Sequence, residues 1–390
     1  MKSKSYIKSV FLFVIFLLTA TAMTNFIVDP EQVYPKLSPN TNNQQILSNF
    51  SKELALSKYG ILNKYRYSDG TMRSHLNERV RKRALAIFSE DGDCAILGSS
   101  HIMEISSFRE NKSLTKYCKS VINLGVSGGT LEDYFAYSNM LIENKHTVNT
   151  IVFGIDPWSL KLNSDKRFNI IKEDLYKMQK RLGMRRHNSN ASYTSSLILN
   201  LINLEYLIKS IDKIFPEDGF KEKEKEKVNE NQRYKHAEKF IQNKGVTGSI
   251  ILPDGSLIYS SEYINNSKLS NKTFDGINGV GYKIQLDGTR WYDDDAINDL
   301  TNLVKFLQSK FNILFVMTPY HPKVWEHQQP TVEAMKIIES KVHMLAKKLN
   351  VTVIGSYNPA KLGCFEDEFL DFMHPTVKCL KKLERKIVIN

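Results

Sequence analysis

Two widely separated groups of residues in this 390-residue chain have the types and spacing needed for nucleophilic catalysis. Ser100 follows a short apolar run, residues 94–97, and Asp371 stands three positions before His374 near the C-terminus. A histidine can take the proton of a serine hydroxyl, while a carboxylate fixes the imidazole tautomer and stabilises the imidazolium. The sequence therefore predicts serine-based acyl chemistry wherever the fold brings these three side chains together.

The elements that would position these residues are apolar runs alternating with helical segments. The expected strands are residues 94–97, 120–124, 150–153, 313–317 and 352–354. Strands separated by helices, such as the expected helices 131–143 and 332–349, predict a three-layer, flavodoxin-like α/β sandwich with a five-stranded parallel sheet.

The turns that follow the strands carry the polar and glycine residues. Ser100 follows the first strand, the glycine-dense turn 125–130 follows the second, Gly154 ends the third, and the pair Asp371 and His374 follows the fifth. Because the carboxyl ends of parallel strands lie at one edge of a sheet, where open α/β proteins bind ligands, all four turns are expected to meet there.

This order of motifs resembles the SGNH/GDSL hydrolase superfamily, in particular its membrane-anchored envelope branch that includes the D-alanyl lipoteichoic acid transfer and alginate acetylation proteins. The resemblance covers residues 93–160 and 310–390. It implies that Ser100 is the nucleophile and that Asp371 and His374 are its acid and base. The turn Asn123-Leu-Gly-Val-Ser-Gly128 matches the second motif of the family. Gly128 and Asn123 are then expected to bind the oxyanion or the substrate, with the N–H groups of Gly128 and Ser100 as donors.

One position departs from the family pattern. The third turn reads Gly154-Ile155-Asp156-Pro157 where the family has Gly-x-Asn-Asp. An ionised Asp156 would repel an oxyanion, and losing one donor typically costs about 3–4 kcal/mol. Three alternatives follow: Asp156 is protonated, it binds a substrate hydroxyl or amine, or the activity is weak.

Three further residues lie near this edge of the expected sheet. Tyr320 and His321 follow the fourth strand and are expected to contact substrate. His101, next to Ser100, is expected to pack within the first helical turn instead.

The first 28 residues are a targeting segment. Three lysines precede the apolar run 10–28, which is about long enough to span a bilayer, while Ala20-Thr21-Ala22 fits a signal-peptidase site. We expect an anchor with the C-terminal domain outside the cytoplasm, and cleavage is the alternative. Either reading exports the rest of the chain.

Charge and cysteine content agree with export. Residues 1–88 hold 13 Lys/Arg and 5 Asp/Glu, so eight of the twelve net positive charges lie there, as in a membrane-proximal stalk. No nucleic-acid motif accompanies the charge, and we expect no nucleic-acid partner. Four cysteines allow two disulfides, with three possible connectivities. Cys94 and Cys118 could face each other across neighbouring strands, and reduced core cysteines are the alternative.

The chain divides into a targeting segment (1–28), a basic stalk with helices (29–88), two parts of the α/β domain (89–160 and 293–390) and an insertion (161–292). The insertion is expected to hold a helix at 195–215, the alternating-charge run 221–227 and a β-hairpin that turns at Pro253-Asp254-Gly255. It could cover the site. In the stalk, the run Arg79-Val-Arg-Lys-Arg83 is expected to be a solvated helix face, and Asp293-Asp-Asp295 is expected to open a helix.

Together these features predict O-acyl transfer or ester hydrolysis on a cell-surface glycan through an acyl-serine intermediate, with no cofactor and no metal. In the transferase version, the resemblance implies a multi-pass membrane acyltransferase as partner. The alternative is a non-catalytic glycan-binding or scaffolding protein, for which Asp156 is the main argument.

Overall fold

A computed structural model describes most of the chain. The described residues are 2–28, 44–56, 61–62, 77–89, 92–109, 113–144, 147–160, 162, 167–184, 201–202, 207, 211, 248–270, 292–327 and 329–384. The expected helix 195–215 lies mostly outside these residues, and the charge run 221–227 lies wholly outside them.

The centre of the protein is a five-stranded sheet in which all strands are parallel, as predicted. The eight strands of the described chain are β1 (Ile61–Leu62), β2 (Cys94–Leu97), β3 (Val121–Asn123), β4 (Thr150–Gly154), β5 (Ser249–Ile251), β6 (Leu257–Tyr259), β7 (Asn312–Met317) and β8 (Thr352–Gly355). The large sheet has the order β3-β2-β4-β7-β8. Each of its strands lies within two residues of its expected bounds.

The described chain also contains helices. They are α1 (Lys2–Val28), α2 (Gln44–Leu56), α3 (Glu78–Phe88), α4 (Leu131–Glu143), α5 (Lys172–Arg181), α6 (Ser261–Ser270), α7 (Asp294–Leu307), α8 (Pro322–His327), α9 (Gln329–Leu349), α10 (Pro359–Leu362) and α11 (Val377–Leu380). Helix α4 has its expected bounds and begins with the expected capping box, in which Asp133 accepts from the backbone N–H of Thr130 at 3.0 Å. Asp293 is the N-cap of α7.

Alternate residues of each strand pack on opposite faces of the sheet. One face, which includes Leu97 and Phe153, forms a large core with α3, α4, α7 and α9. The other face, which includes Ile96 and Val152, packs against Ile102 and the short C-terminal elements. The two helical layers are therefore unequal, and the thinner one holds the segment that begins at Ser100.

The predicted hairpin is present as β5 and β6, which pair antiparallel, and β1 adds a third strand. Its tip reaches the edge of the large sheet, where Asn123 N–H donates to the Asp254 carbonyl at 2.7 Å. The buried Asp254 side chain accepts from Ser106 Oγ at 2.7 Å and from Ser107 N–H at 2.9 Å. The hairpin therefore braces the segment that follows Ser100.

The expectation that residues 79–83 form a solvated face is wrong. The side chains of Arg79, Arg81, Lys82 and Arg83 are buried along α3. Arg79 Nε and Nη2 donate to both oxygens of Asp133 at 2.7 and 2.8 Å. Lys82 Nζ donates to the Asn123 carbonyl at 2.8 Å and to that of Gly255. Because these contacts reach different elements, α3 links the sheet, α4 and the hairpin.

Both possible disulfides form, pairing Cys94 with Cys118 and Cys364 with Cys379. The first pair is the one expected from neighbouring strands. The second closes a loop that contains Asp371 and His374.

Helix α1 covers the segment predicted to be a targeting segment. Its residues Ser9–Val28 have a mean hydropathy of 2.2 over a length that can cross a membrane, and only 6% of the apolar stretch is buried in the folded chain. Both a membrane anchor and a signal sequence meet this description.

Candidate active site

Ser100, His374 and Asp371 form one continuous hydrogen-bond chain. Ser100 Oγ lies 2.8 Å from His374 Nε2. On the other side of the ring, His374 Nδ1 lies 2.7 Å from Asp371 Oδ2 and 2.9 Å from Oδ1. With its proton on Nδ1, the imidazole presents a lone pair on Nε2 to the serine hydroxyl, which is the arrangement that a general base requires. The predicted meeting of these side chains across 274 positions is confirmed.

A short 3₁₀ helix, Ser100–Ile102, begins three residues beyond the end of β2 and presents the serine. Its N-cap Ser99 accepts from the backbone N–H of His101 at 3.2 Å. The side chain of Ile102 is buried between Gly98, Gly125 and Gly154, where an added Cβ would lie only 2.6–2.9 Å from it. The glycines at the ends of three adjacent strands therefore leave room for the Ile102 side chain, which fixes the serine turn against the sheet.

The loop that carries Asp371 and His374 is closed by its own hydrogen bonds. Leu370 N–H donates to the His374 carbonyl at 2.8 Å, and Asp371 Oδ1 accepts from the backbone N–H groups of Met373 and His374. The segment after β7 holds this loop in place, because His321 N–H donates to the Phe372 carbonyl at 3.1 Å. The backbone donors therefore orient the Asp371 carboxylate independently of its contact with the imidazole.

The charges of the pair favour the ionised forms. Burial raises the pKa of Asp371, but the positive charge of His374 and the loop N–H donors outweigh it and lower the pKa to about 2. Burial likewise lowers the pKa of His374, yet the charge and hydrogen bonds of Asp371 raise it above its usual value. Asp371 is therefore a carboxylate at neutral pH, and it stabilises the imidazolium that forms when His374 takes a proton.

The glycine turn lies beside the serine turn. Gly128 has a positive φ of 58°, which favours glycine. A Cβ on Gly129 would lie 2.2 Å from the Gly98 carbonyl oxygen, so only glycine permits this approach. Within the described chain, neither Ser100 N–H nor Gly128 N–H donates to another protein atom. Both are free to donate to a bound oxygen, as the resemblance implies for an oxyanion.

Two residues that the sequence did not single out hold this glycine turn. Glu78 at the start of α3 accepts from Ser127 N–H at 2.7 Å. Trp158, after β4, donates from Nε1 to the Gly129 carbonyl at 3.0 Å. A carboxylate 49 positions away leaves no local signal in the sequence, whereas an aromatic residue just after an active-edge strand could have been considered.

The expectation that Asn123 binds the oxyanion or substrate is wrong. Its side chain is fully buried, donates from Nδ2 to the carbonyls of Ile102 and Ile105, and accepts from Gly125 N–H. Because these bonds use its amide hydrogens and oxygen, Asn123 joins the serine turn to the glycine turn and has no free group for a ligand.

The expected substrate contacts of Tyr320 and His321 are also corrected. Tyr320 is fully buried in the core and its ring lies 5.0 Å from that of His101. His321 packs edge-on against Phe369 and Phe372, and its Nδ1 accepts from Lys323 N–H at 3.1 Å. Tyr320 therefore packs in the core beside His101, and His321 packs against the loop that carries Asp371 and His374.

Asp156 lies beneath the site and is 2% exposed. Its Oδ1 is 3.7 Å from His101 Nδ1. Burial raises the pKa of Asp156 to about 7, against the lowering effect of hydrogen bonds from Ser99 and of the charge of His374. His101 packs within the turn as expected and contacts Trp158, Tyr320 and His374 with its ring.

The described residues contain one group with metal-ligand types in reach of one another: Cys364, Glu368 and Cys379. The two cysteines form a disulfide and Glu368 pairs with Lys382, so no thiolate or free carboxylate is left to bind an ion.

No protein-family model matches the chain, and no curated protein matches it. The chemistry of the site is therefore argued from its geometry.

Removing the disulfide that encloses the loop of Asp371 and His374 is expected to affect both stability and reactivity. Replacing Cys364 and Cys379 by alanine should lower the free energy of unfolding by about 3 kcal/mol, because a 15-residue cross-link is lost. It should also slow the reaction of Ser100 with a fluorophosphonate probe, because the loop holding Asp371 and His374 loses its closure. The matched variant lacks Cys94 and Cys118. It should lose similar stability but react more nearly at the wild-type rate. Equal rates in both variants would contradict a role of the loop closure.

Proposed function

We propose that the protein is a serine-dependent enzyme that transfers or hydrolyses O-acyl groups, most specifically acetyl esters, on a cell-surface polysaccharide. The observation that carries this proposal is the chain from Ser100 Oγ through His374 to Asp371, with distances of 2.8 and 2.7 Å. A hydrogen-bond network that only stabilised the fold would not need a half-buried serine at its end. The order serine, histidine, aspartate is therefore better explained by catalysis than by a structural role.

The reaction would proceed in two halves. Ser100 Oγ attacks the ester carbonyl carbon while His374 Nε2 takes the hydroxyl proton, and the oxyanion accepts from the N–H groups of Ser100 and Gly128. The carbon–oxygen bond of the ester then breaks, and His374 gives its proton to the departing alkoxide. In the second half, a sugar hydroxyl or water attacks the acyl-serine, with His374 again as base and then as acid.

Three features support an SGNH-like enzyme of the envelope. The five-stranded parallel sheet carries its serine after one strand and its Asp–His pair after the last, in the order of that family. Two disulfides are typical of exported proteins. Helix α1 can anchor the chain, with the α/β domain outside the cytoplasm. In the transferase version, the partner would be a multi-pass membrane protein that supplies acyl groups across the bilayer.

The alternative of a non-catalytic glycan-binding protein predicts no use for the hydrogen-bond chain. Its main argument was the carboxyl group of Asp156 near the oxyanion. That argument is weakened by the burial of Asp156, which favours its neutral form.

The experiment that tests the proposal is mass analysis of the surface polysaccharide from cells carrying the wild-type chain or Ser100→Ala. Loss of acyl groups in the variant is the result expected of a transferase, and a gain is expected of an esterase. The control is Ser309→Ala, which removes an exposed serine hydroxyl remote in sequence from the site. Identical acylation in the wild type and Ser100→Ala would overturn both forms of the proposal.

A further inference from the structure

Beneath the hydrogen-bond chain lies a second cluster of polar side chains that the proposed reaction does not use. It consists of Asp156, His101 and Thr318, at the ends of β4, β2 and β7. Thr318 Oγ1 is 3.3 Å from His101 Nδ1, and Asp156 Oδ1 is 3.7 Å from the same nitrogen. The ring of His101 lies 4.9 Å from the ring of His374. His101 therefore contacts both Asp156 and the imidazole that approaches Ser100.

The cluster contains two buried atoms without a hydrogen-bond partner in the described chain, Asp156 Oδ2 and His101 Nε2. An ionised carboxylate in such a place would lose its hydration without full compensation. A protonated carboxyl group has a much lower burial cost. Because Asp156 Oδ2 is not exposed to solvent, this side chain acts through its neighbours and not by touching a ligand.

We propose that Asp156 is a positioning residue that shares one proton with His374 across the neutral His101, and that Ser100 is activated when this proton is on Asp156. The activation step rests on the proposed function, whereas the sharing of the proton does not. In the state with Asp156 protonated, His374 is neutral and can take the serine proton. In the other state, Asp156 is a carboxylate, His374 is an imidazolium, and the serine has no base.

The charges around the two groups support this coupling. The charge of His374 lowers the pKa of Asp156, and the charge of Asp156 raises the pKa of His374. Burial lowers the pKa of His101 well below its usual value, so this residue, which contacts both groups, stays neutral. The other titratable groups that face the pair, from every element packed against it, are Asp371, Glu104, Tyr134, Tyr320 and Tyr357.

Three of these groups, Tyr134, Tyr357 and Asp371, keep their charge in the pH range of the pair. Burial raises the pKa of Tyr134 and Tyr357 well above 10, so both remain neutral phenols. Asp371 is ionised above a pKa of about 2. Two groups that interact this closely titrate with apparent pKa values that belong to the pair. The titration of His374 should therefore extend over two steps.

The test is an NMR titration of the full-length protein in detergent micelles, with isotope-labelled histidine and the His374 signal assigned by its loss in His374→Gln. In the wild type, the Cε1 resonance of His374 should titrate in two steps. In Asp156→Asn, which keeps the shape of the side chain and removes its ionisation, it should titrate in one step at a pH lower by about one unit. The control is Asp254→Asn, which removes another buried carboxyl group of raised pKa and should leave the His374 titration unchanged.

Every outcome decides the inference. A His374 midpoint in Asp156→Asn within about 0.2 pH unit of the wild type overturns it. Should that variant not fold, a single one-proton curve for wild-type His374 overturns it equally. Labelling of Ser100 by a fluorophosphonate in the same samples separates the two proposals. If Ser100 is labelled but the His374 midpoint does not shift in Asp156→Asn, only the inference of a shared proton fails. If the midpoint shifts but Ser100 is not labelled, only the proposed function fails.

Discussion

Replacing His374 by glutamine is expected to lower the rate of Ser100 acylation by a small aryl ester by about 10²- to 10⁴-fold. The glutamine amide can still donate to Ser100 Oγ, 2.8 Å from the imidazole in the wild type, but it cannot accept a proton. The serine hydroxyl is then a weak nucleophile at neutral pH. The loss should appear in kcat, because His374 acts in the transition state and is not needed to bind the ester.

The control for this variant is His343→Gln. His343 is 39% exposed on α9, near Glu339, and makes no contact with Ser100 in the described chain. Its replacement should leave the acylation rate within about twofold of the wild type, since it touches no reacting atom. A similar loss in both variants, or an unchanged rate in His374→Gln, would show that the imidazole 2.8 Å from Ser100 is not its base.

Replacing Arg79 by methionine is expected to lower the free energy of unfolding by about 3–5 kcal/mol. Arg79 and Asp133 form a two-point ion pair whose side chains are 3% and 1% exposed. Methionine fills much of the same volume but leaves the Asp133 carboxylate buried without an opposite charge. Asp133 also caps α4 by accepting from Thr130 N–H. An unfavourable position for the Asp133 carboxylate should therefore also destabilise α4, the helix that follows the glycine turn. Chemical denaturation of the full-length protein in detergent measures the loss.

Two further variants separate the buried charge from other effects of losing Arg79. Adding Asp133→Asn to Arg79→Met should recover part of the stability, because the amide keeps the Thr130 contact and carries no charge. Lys336→Met removes a solvent-exposed ion pair with Glu333 and should cost less than about 1 kcal/mol. Equal losses for Arg79→Met and Lys336→Met would contradict the interpretation of α3 as a link between the sheet, α4 and the hairpin.

The sheet and the meeting of Ser100 with His374 could be predicted from the sequence because they follow from local signals. Short apolar runs marked each parallel strand, since both faces of those strands are buried. The rule that parallel strands end at one edge then placed Ser100 and the pair Asp371 and His374 together.

The charge run of α3 could not be predicted correctly because its partners are distant in sequence. Solvation is the usual state of four basic residues in five positions. In this structure the basic side chains have protein partners in place of water: Asp133, Asp174 and two backbone carbonyls. The sequence pattern around residue 80 gives no sign of these partners. A charged helix can be buried when each charge meets its own partner.

Asn123 was assigned to ligand binding by its position in a motif, and the structure gives it a packing role, which it shares with three glycines of the same edge. Gly98, Gly125 and Gly154 surround Ile102, and Asn123 bonds to the turn that contains it. Residues at the active edge thus include those that shape the serine turn as well as those that face a ligand. A sequence motif does not distinguish the two, because both require the same small or amide-bearing side chain.

The most direct test of the central claim is mass spectrometry of the folded protein after treatment with a fluorophosphonate probe between about pH 6 and 9. The account predicts one adduct, on the peptide that contains Ser100, formed more slowly in His374→Gln and absent in Ser100→Ala. A folded wild-type protein that carries no adduct on Ser100 at any of these pH values would contradict it.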